Sequence, residues 1–345
     1  MIVALMTQRR PTSFDIAALA GVSQPTVSRA LSGSASVSQD TRRRVLAAAE
    51  QLHYKVDKNA SGLRRQQSKT LALLFFEESP ERALINPFYL SLVGPMVRRC
   101  AERGYDLLIS LQQLSSDWHI DYEDSRKADG IILLGYGDYV EYRPRLERLV
   151  ARGAHFVRWG TGGSGQIGVT VSSDNEQGGF DATTHLLQQG RRAIAFIGTG
   201  GAGFPEVQER WRGYCRALHA AGIEPDQQLR LEAEPDEADG RRATEKLLAT
   251  GFEFDAIFAA SDVAAIGAVH ALQHAGRSVP ETAVVGFDDI PAASLASPPL
   301  TTITQDVRQA AEALIDTLLE SMGSGTARSR VLPVRLTVRE SSTSR

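Results

Sequence analysis

Residues 12–33 form the stretch that decides the fold of the N-terminal part, TSFDIAALAGVSQPTVSRALSG. The spacing of its apolar positions predicts two short helices. The first helix is expected to begin with Ser13 as its cap and to have an inner face of Phe14, Ile16, Ala17, Leu19 and Ala20. Gly21 can adopt the positive φ that ends a helix, and Ser23 can begin the next one. Two short helices joined by such a turn have helix-turn-helix geometry.

A third helix is expected to start at Ser38 as its cap and to end near Tyr54. Residues 55–68, KVDKNASGLRRQQS, are polar and basic with few large apolar groups, which is typical of a linker. Residues 1–68 contain ten Lys and Arg against four Asp and Glu, a net charge of +6. The remaining 28 basic and 37 acidic residues give −9. A basic head on an acidic body indicates that the head binds a polyanion.

From Lys69 onward, short apolar strands alternate with helical segments, which predicts parallel sheets with helices on both faces. The strands are predicted near 71–76, 107–110, 130–135, 155–159, 193–198, 256–260 and 283–287. These are more strands than one compact sheet of this type needs, so we expect two α/β lobes. The sequence contains no apolar run of the ~18 residues that a membrane span requires. The two distant cysteines, Cys100 and Cys215, favour a reduced compartment.

The second helix of the head contains the predicted base-reading residues. In this motif the second helix enters the major groove, and its first residues face the base edges. We expect Gln24 to pair with an adenine edge and Arg29 with guanine. Ser23 begins the helix, and Thr26 and Ser28 are expected to bind phosphates, which positions the protein without reading sequence.

The same residues resemble the DNA-binding domain of the lactose/galactose repressor (LacI/GalR) family. The family pattern D-[VI]-A-x-x-[AL]-x-V-S-x-x-T-V-S-R matches within Thr12–Gly33, and Val37–Tyr54 continues the similarity. Further matches follow in order along most of the chain. They are NPFY (Asn86–Tyr89), DGIIL (Asp129–Leu133), RWRGYCRAL (Arg210–Leu218), SDVAAIGAVHAL (Ser261–Leu272), VVGFDDIP (Val284–Pro291), PPLTTITQD (Pro298–Asp306) and Val338–Thr343.

The resemblance implies a small all-α helix-turn-helix head plus an α/β periplasmic-binding-protein-like sensor of two doubly wound lobes. It places the head at 1–54, a hinge at 55–68 and an effector-binding and dimerisation domain at 69–345. The implied lobes are about 69–168 with 304–328 for lobe one, and about 169–303 with 329–345 for lobe two. In the family the hinge becomes a short helix on the operator. Leu63 would then wedge into the minor groove, and Arg64 would lie near the backbone.

The resemblance also implies an effector site between the lobes, beyond the carboxyl ends of the strands. Arg210 and Asp288 match the family's effector-binding arginine and aspartate, a pair that can bracket adjacent hydroxyls. Phe88 and Tyr89 are candidates for an apolar wall, and Trp159 for a stacking residue. Ser261 lies where several relatives have an asparagine that binds ligand. Gly160 falls where a relative has an aspartate, so that contact is not expected here.

These features predict that the protein is a DNA-binding transcriptional regulator, and we expect it to act as a repressor. Its operator affinity would be controlled by a small effector, a carbohydrate or alternatively a purine or nucleoside. We expect a cytoplasmic homodimer on double-stranded DNA, without a membrane partner, metal, cofactor or catalytic role. The enzyme alternative is an NAD-dependent oxidoreductase, because residues 198–203, GTGGAG, fit G-x-G-x-x-G. The next helix is expected near Gln208, which is too late for that motif. His270 and His274 lack the glutamate of a zinc protease.

Overall fold

The computed structural model describes residues 11–31, 34–52, 54, 67–76, 85–136, 138–162, 165–200 and 203–343. The chain divides into two compact units, Met1–Ser68 and Lys69–Arg345. In the first unit the helices are α1 (Ser13–Ala20), α2 (Gln24–Leu31) and α3 (Gln39–Gln51). The predicted hinge residues Leu63 and Arg64 lie outside the described residues.

The three helices of the head enclose a small core. The buried side chains come from all three helices: Ile16, Ala17, Ala20, Val27, Ala30, Val45, Ala48 and Ala49. Two residues expected on the inner face of α1 are instead exposed, Phe14 at 71% and Leu19 at 47%. The reason is that a helix of eight residues has room for only one narrow stripe of contacts, and Ile16, Ala17 and Ala20 fill it.

The caps of these helices follow local chemistry. Thr12, and not Ser13 as expected, precedes α1, and the Asp15 carboxylate accepts hydrogen bonds from the Thr12 N–H and hydroxyl, both at 2.7 Å. This is the reciprocal pairing of a capping box, which leaves Ser13 inside the helix. Ser38 caps α3 as predicted, because its hydroxyl accepts a hydrogen bond from the Thr41 N–H at 3.3 Å.

The second unit contains two six-stranded sheets. The first sheet has the order β11-β5-β4-β3-β1-β2 and is parallel throughout. Its strands are β1 (Thr70–Phe75), β2 (Asp106–Leu111), β3 (Gly130–Leu134), β4 (Phe156–Trp159), β5 (Val169–Ser173) and β11 (Arg330–Leu332). Its helices are α4 (Pro87–Glu102) and α5 (Tyr139–Ala151), with α11 (Val307–Ser324) added from the C-terminal part. A short π-helix spans His119–Asp124.

The second sheet has the order β12-β10-β9-β8-β6-β7, and only the β10–β12 pair is antiparallel. Its strands are β6 (Ile194–Ile197), β7 (Arg230–Leu231), β8 (Ala256–Ala259), β9 (Ala283–Asp288), β10 (Thr301–Gln305) and β12 (Val334–Thr337). Its helices are α6 (Asn175–Gln188), α7 (Pro205–Ala220), α8 (Glu237–Thr250), α9 (Asp262–His274) and α10 (Pro291–Leu295). The inner strands are buried along their whole length, as expected where helices cover both faces.

The lobe boundaries differ from those expected. We expected lobe two to begin at about residue 169 and to include 329–345, but β5 and β11 belong to the first sheet. β5 has the sequence VTVSS and buries Thr170, Ser172 and Ser173, so it lacks the apolar run by which strands were predicted from the sequence. Within residues 165–343 as described, the chain crosses between the sheets after β5, after β10 and at Pro333.

Within the described residues, none of the helices combines the length and the hydrophobicity needed to span a lipid bilayer.

Candidate functional site

The predicted DNA-binding residues lie on one short helix and its leading turn. α1 ends at Ala20 and is followed by Gly21, which has φ 62°, and α2 begins directly after Ser23. Val27 and Ala30 face the core, so the polar residues of α2 lie on the remaining surface. Ser23 and Arg29 are exposed, whereas the other three are half-buried: Gln24, Thr26 and Ser28.

Two contacts organise the start of α2. The Ser23 and Thr26 hydroxyls are 2.8 Å apart, and the Ser23 carbonyl accepts hydrogen bonds from the Thr26 and Val27 N–H groups. The Gln24 side-chain amide donates to the Ser13 hydroxyl at 3.2 Å. This contact ties the side chain of Gln24 to α1.

The second unit contains a cleft of about 900 Å³, including its open mouth, between the two sheets. All six residues predicted to contact the effector line this cleft: Phe88, Tyr89, Trp159, Arg210, Ser261 and Asp288. Trp159, Ser261 and Asp288 lie at or just beyond the carboxyl ends of parallel strands, which is where open α/β sheets bind ligands. Phe88 and Tyr89 lie in the first turn of α4, and Arg210 lies in the second turn of α7. Their role in effector binding stays a prediction.

Arg210 is held on several sides. Its Nε donates to Asn175 Oδ1 at 2.9 Å, and its Nη1 donates to the Ala260 carbonyl. The guanidinium carbon lies 3.7 Å from the centroid of the Phe287 ring. These contacts fix the plane of the side chain, which can then present its remaining N–H groups in one direction.

The backbone at Arg210 is fixed by close contact between helices α6 and α7. A Cβ built on Gly179 would lie 2.1 Å from the Arg210 carbonyl oxygen. A Cβ built on Gly213 would lie 2.0 Å from the Glu176 carbonyl oxygen. The two helices therefore touch at Gly179 of α6, which lies against the backbone of Arg210, and at Gly213 of α7, three residues after Arg210.

Asp288 ends β9 and combines strain with a free oxygen atom. Its φ of 122° and the φ of 57° at Asp289 are conformations that residues other than glycine rarely adopt. Its Oδ1 accepts a hydrogen bond from Gln305 Nε2 at 2.6 Å and lies 4.0 Å from Arg210 Nη2. Among the described residues Oδ2 has no hydrogen-bond partner, so it is available to a ligand that donates a hydroxyl.

The charge of Asp288 is unfavourable in this environment. Burial raises the pKa of Asp288 to about 6, although Arg210 and the hydrogen bond from Gln305 act to lower it. Behind it, burial and the like charge of Asp288 raise the pKa of Asp262 well above its usual range. Asp262 accepts hydrogen bonds from the Thr302 hydroxyl at 2.5 Å and from the Ile290 N–H at 2.9 Å.

An aromatic wall closes the lobe-one side of the cleft. The Phe88 and Trp159 rings are tilted against each other with centroids 5.4 Å apart, and Tyr89 meets Phe88 edge-on at 5.8 Å. Phe88 and Trp159 also belong to the hydrophobic core, so they support the wall from behind and expose little surface to a ligand. Tyr89 is less buried and packs next to Gly135.

Ser261 has a structural role as well as a place in the cleft. Its hydroxyl accepts a hydrogen bond from the Ala264 N–H at 3.3 Å and caps α9. The glycine-rich loop also borders the cleft through Gly198. α7 begins only at Pro205, so the described glycines of this loop, Gly198, Gly200 and Gly203, do not pack inside a helix as the dinucleotide motif requires.

Several residues that line the cleft or hold its side chains in place were not predicted from the sequence. Asn175 and Gln305 hold Arg210 and Asp288, and both lie at or just beyond the carboxyl ends of strands β5 and β10. That position was the signal that could have identified them. Tyr136 and Glu206 also line the cleft, from opposite lobes. In the part of the chain that the structure describes, no group of three or more His, Cys, Asp or Glu side chains is arranged to hold a metal ion.

Comparison with known proteins matches both parts of the chain. Residues 14–57 match the family described as bacterial regulatory proteins, lacI family, and residues 183–342 match a periplasmic binding protein-like domain. The HTH-type transcriptional regulator CelR of Thermobifida fusca is 34% identical, over 97% of this chain and 99% of its own. The chain belongs to the lacI family of bacterial regulatory proteins. It is therefore a DNA-binding transcriptional regulator controlled by an effector, as the sequence predicted.

Solved structures of lacI-family proteins share the whole architecture. The complex of the transcriptional regulator CelR with cellobiose is 32% identical, with a TM-score of 0.71, and covers 96% of this chain and 100% of its own. The Lac repressor dimer bound to operator and the anti-inducer ONPF is 25% identical, with a TM-score of 0.82, and covers 97% and 100%. The helical head and the two-sheet α/β unit of this chain are thus the lacI-family fold.

Proposed function

We propose that this lacI-family chain is a cytoplasmic, homodimeric repressor whose operator affinity is set by a carbohydrate bound between its lobes. The observation that carries the proposal is the arrangement of Arg210 and Asp288 at the cleft. A fixed guanidinium donor and a free carboxylate oxygen stand side by side, next to an aromatic wall. A sugar ring fits such a site because its hydroxyls both donate and accept, while its C–H faces pack against aromatic rings.

The similarity to the CelR–cellobiose complex supports a neutral sugar over a purine or nucleoside, which remains the second candidate. The two ligand classes make different demands. A sugar uses Asp288 as the acceptor of a hydroxyl, whereas a purine depends mainly on ring stacking. Asp288→Ala would therefore abolish sugar binding but would only weaken the binding of a purine.

We propose that the DNA-binding side chains are Ser23, Gln24, Thr26, Ser28 and Arg29, together with Leu63 and Arg64 of the hinge. A dimer would place one head on each half of a pseudo-palindromic operator. The similarity to the Lac repressor dimer bound to operator supports a dimer on DNA. We propose a binding role and not a catalytic one, because the named relatives are regulators. Cytoplasmic location follows from the proposed operator partner.

The experiment has two stages. First, the full chain is tested for thermal stabilisation by cellobiose, ribose, adenine and guanosine. Then operator fragments from its own promoter region are titrated with the chain, with and without the ligand that stabilises it. A change of affinity of about 5- to 150-fold is expected for a coupling of ~1–3 kcal/mol. A chain that is stabilised by none of these ligands, and whose DNA binding none of them changes, would contradict the proposal.

Two variants separate the parts of the mechanism. Arg210→Ala should bind the operator like the parent chain but lose the response to ligand. Leu63→Ala should bind ligand like the parent chain but bind the operator more weakly. Parent-like operator affinity in Leu63→Ala would refute the hinge assignment and leave the effector site untouched.

A further inference from the structure

Glu206 connects the two lobes directly across the mouth of the cleft. It lies in the first turn of α7 in lobe two, directly after Pro205. Its Oε1 accepts a hydrogen bond from the Thr161 N–H of lobe one at 2.8 Å. Its Oε2 accepts a hydrogen bond from the Tyr136 hydroxyl, also of lobe one. One carboxylate of lobe two thus receives two donors from lobe one.

Lobe one surrounds this carboxylate with a site suited to an anion. Arg158 is buried, 1% exposed, and is held by carbonyl and amide oxygens of its own lobe. Its Nη1 is buried without a hydrogen-bond partner among the described residues. A Cβ built on Gly160 would lie 2.7 Å from both Arg158 Nη1 and Glu206 Oε1. The guanidinium and the carboxylate therefore face each other across the bare Cα of Gly160.

The protonation state of the donor agrees with this arrangement. Burial and the neighbouring Glu206 raise the pKa of Tyr136 well above its usual range, so its hydroxyl keeps the proton that it donates. A second backbone contact crosses the lobes nearby, where the Tyr139 N–H donates to the Gly203 carbonyl at 3.0 Å. If the lobes separate, the Thr161 N–H and the Tyr136 hydroxyl lose their shared carboxylate acceptor, and Arg158 loses the carboxylate that lies across Gly160.

We propose that Glu206 is the residue that sets the effector response of this chain, because it latches the two lobes together before any effector is bound. This inference rests on the proposed function in one respect, that closure of the cleft is coupled to the effector. An effector then binds a cleft that is already mostly closed. Its apparent dissociation constant is the intrinsic one divided by the closed fraction. A chain without the latch should need more effector for the same response.

The latch is tested first without any ligand, by hydrogen exchange of single amides in the full chain. The Thr161 amide reports on the latch, because its acceptor is Glu206. The Gly160 amide is an internal reference, because it donates to the Val171 carbonyl at 3.0 Å within lobe one. In Glu206→Ala the Thr161 amide should exchange about 10-fold faster, as expected for loss of a hydrogen bond to a charged group, with Gly160 unchanged.

Two further variants complete the test. Glu224→Ala is the matched control, because this glutamate is also in lobe two, its side chain is 92% exposed, and its ion-pair partner is His219 of the same lobe. It should leave Thr161 exchange unchanged. Tyr136→Phe removes one donor and keeps the carboxylate, and it should raise Thr161 exchange by a smaller factor, about 3-fold.

Parent-like exchange of Thr161 in Glu206→Ala would overturn the proposal. A rise shared equally by Gly160 and Thr161 in that variant, with parent-like exchange in Tyr136→Phe, would also overturn it, since it would indicate local unfolding of lobe one. Because this readout uses neither DNA nor effector, its failure is separate from failure of the proposed function. With an effector identified, Glu206→Ala should raise the concentration for half response by up to about 10-fold.

Discussion

Replacement of Asp288 by asparagine should make the chain more stable and less responsive at the same time. Asparagine has the shape of the protonated carboxyl group, and its Oδ1 can still accept the hydrogen bond from Gln305 Nε2. It replaces the free Oδ2 with an amide that donates and cannot accept a ligand hydroxyl. The variant should therefore bind the operator but lose its response to a sugar.

The gain in stability follows from the raised pKa of Asp288. Burial is the main cause, and it brings the pKa from 3.8 to about 6. The carboxyl is thus favoured in its protonated form in the folded state, and this contribution to stability is complete below pH 3.8. It is lost as the pH rises to about 6, where the folded carboxyl itself ionises. At 1.36 kcal/mol per pKa unit, ionised Asp288 costs at most about 3 kcal/mol at pH 7.

The assay is the free energy of unfolding of parent and Asp288→Asn, measured in denaturant at pH 4 and at pH 7. The difference should be close to zero at pH 4 and should approach about 3 kcal/mol in favour of the variant at pH 7. Asp289→Asn is the matched control, because Asp289 accepts Arg339 Nη2 at 2.6 Å and the Thr304 hydroxyl at 2.8 Å. It should lose stability. A gain for Asp288→Asn that is equal at both pH values, or no gain at pH 7, would refute the reasoning.

Three other substitutions, one of them with a control, test the cleft site and the DNA-reading helix. Gly179→Ala places a Cβ 2.1 Å from the Arg210 carbonyl, so it should cost about 1–3 kcal/mol of unfolding free energy and weaken the effector response in a ligand titration. Gly323→Ala in α11 is its control, since nothing lies within 4 Å of that Cβ; it should be neutral or gain up to about 1 kcal/mol, and a loss there would show that helical glycines in general are sensitive. Arg29→Ala should cost about 1–3 kcal/mol on the cognate operator with little change on random DNA in a binding assay, and equal losses on both would make it a phosphate contact. Arg339→Ala removes the ion pair to the turn after β9 and should lower the thermal midpoint and weaken ligand binding together; parent-like values for both would contradict a positioning role.

The parts of the fold that depend on short-range patterns could be predicted from the sequence. β9 is a continuous buried strand that ends in Asp288, and both its apolar run and its terminal acid are visible in VVGFDDIP. The turn at Gly21 and the cap at Ser38 are also local. Such features need only a few consecutive residues, so the sequence contains all the information that determines them.

The features that could not be predicted from the sequence depend on contacts between residues that are distant in sequence. β5 is stabilised by its position between β4 and β11, and its buried Thr and Ser side chains give no apolar signal. Nothing around Glu206 indicates that it meets Tyr136 and Thr161, because these contacts join residues of two lobes that are distant in sequence. Likewise, Asn175 is an ordinary polar residue until Arg210 is placed beside it.

The segment from β11 to β12 completes both lobes with the last part of the chain. Arg330–Leu332 adds an edge strand to the first sheet, and Val334–Thr337 adds one to the second. During synthesis neither sheet can therefore gain its edge strand from this segment until residues 330–337 have left the ribosome. A premature stop codon or a protease cut that removes residues from Arg330 onward would leave two open sheet edges at once. A chain truncated in this way should therefore be degraded, and it should not persist as a partly active competitor for the operator.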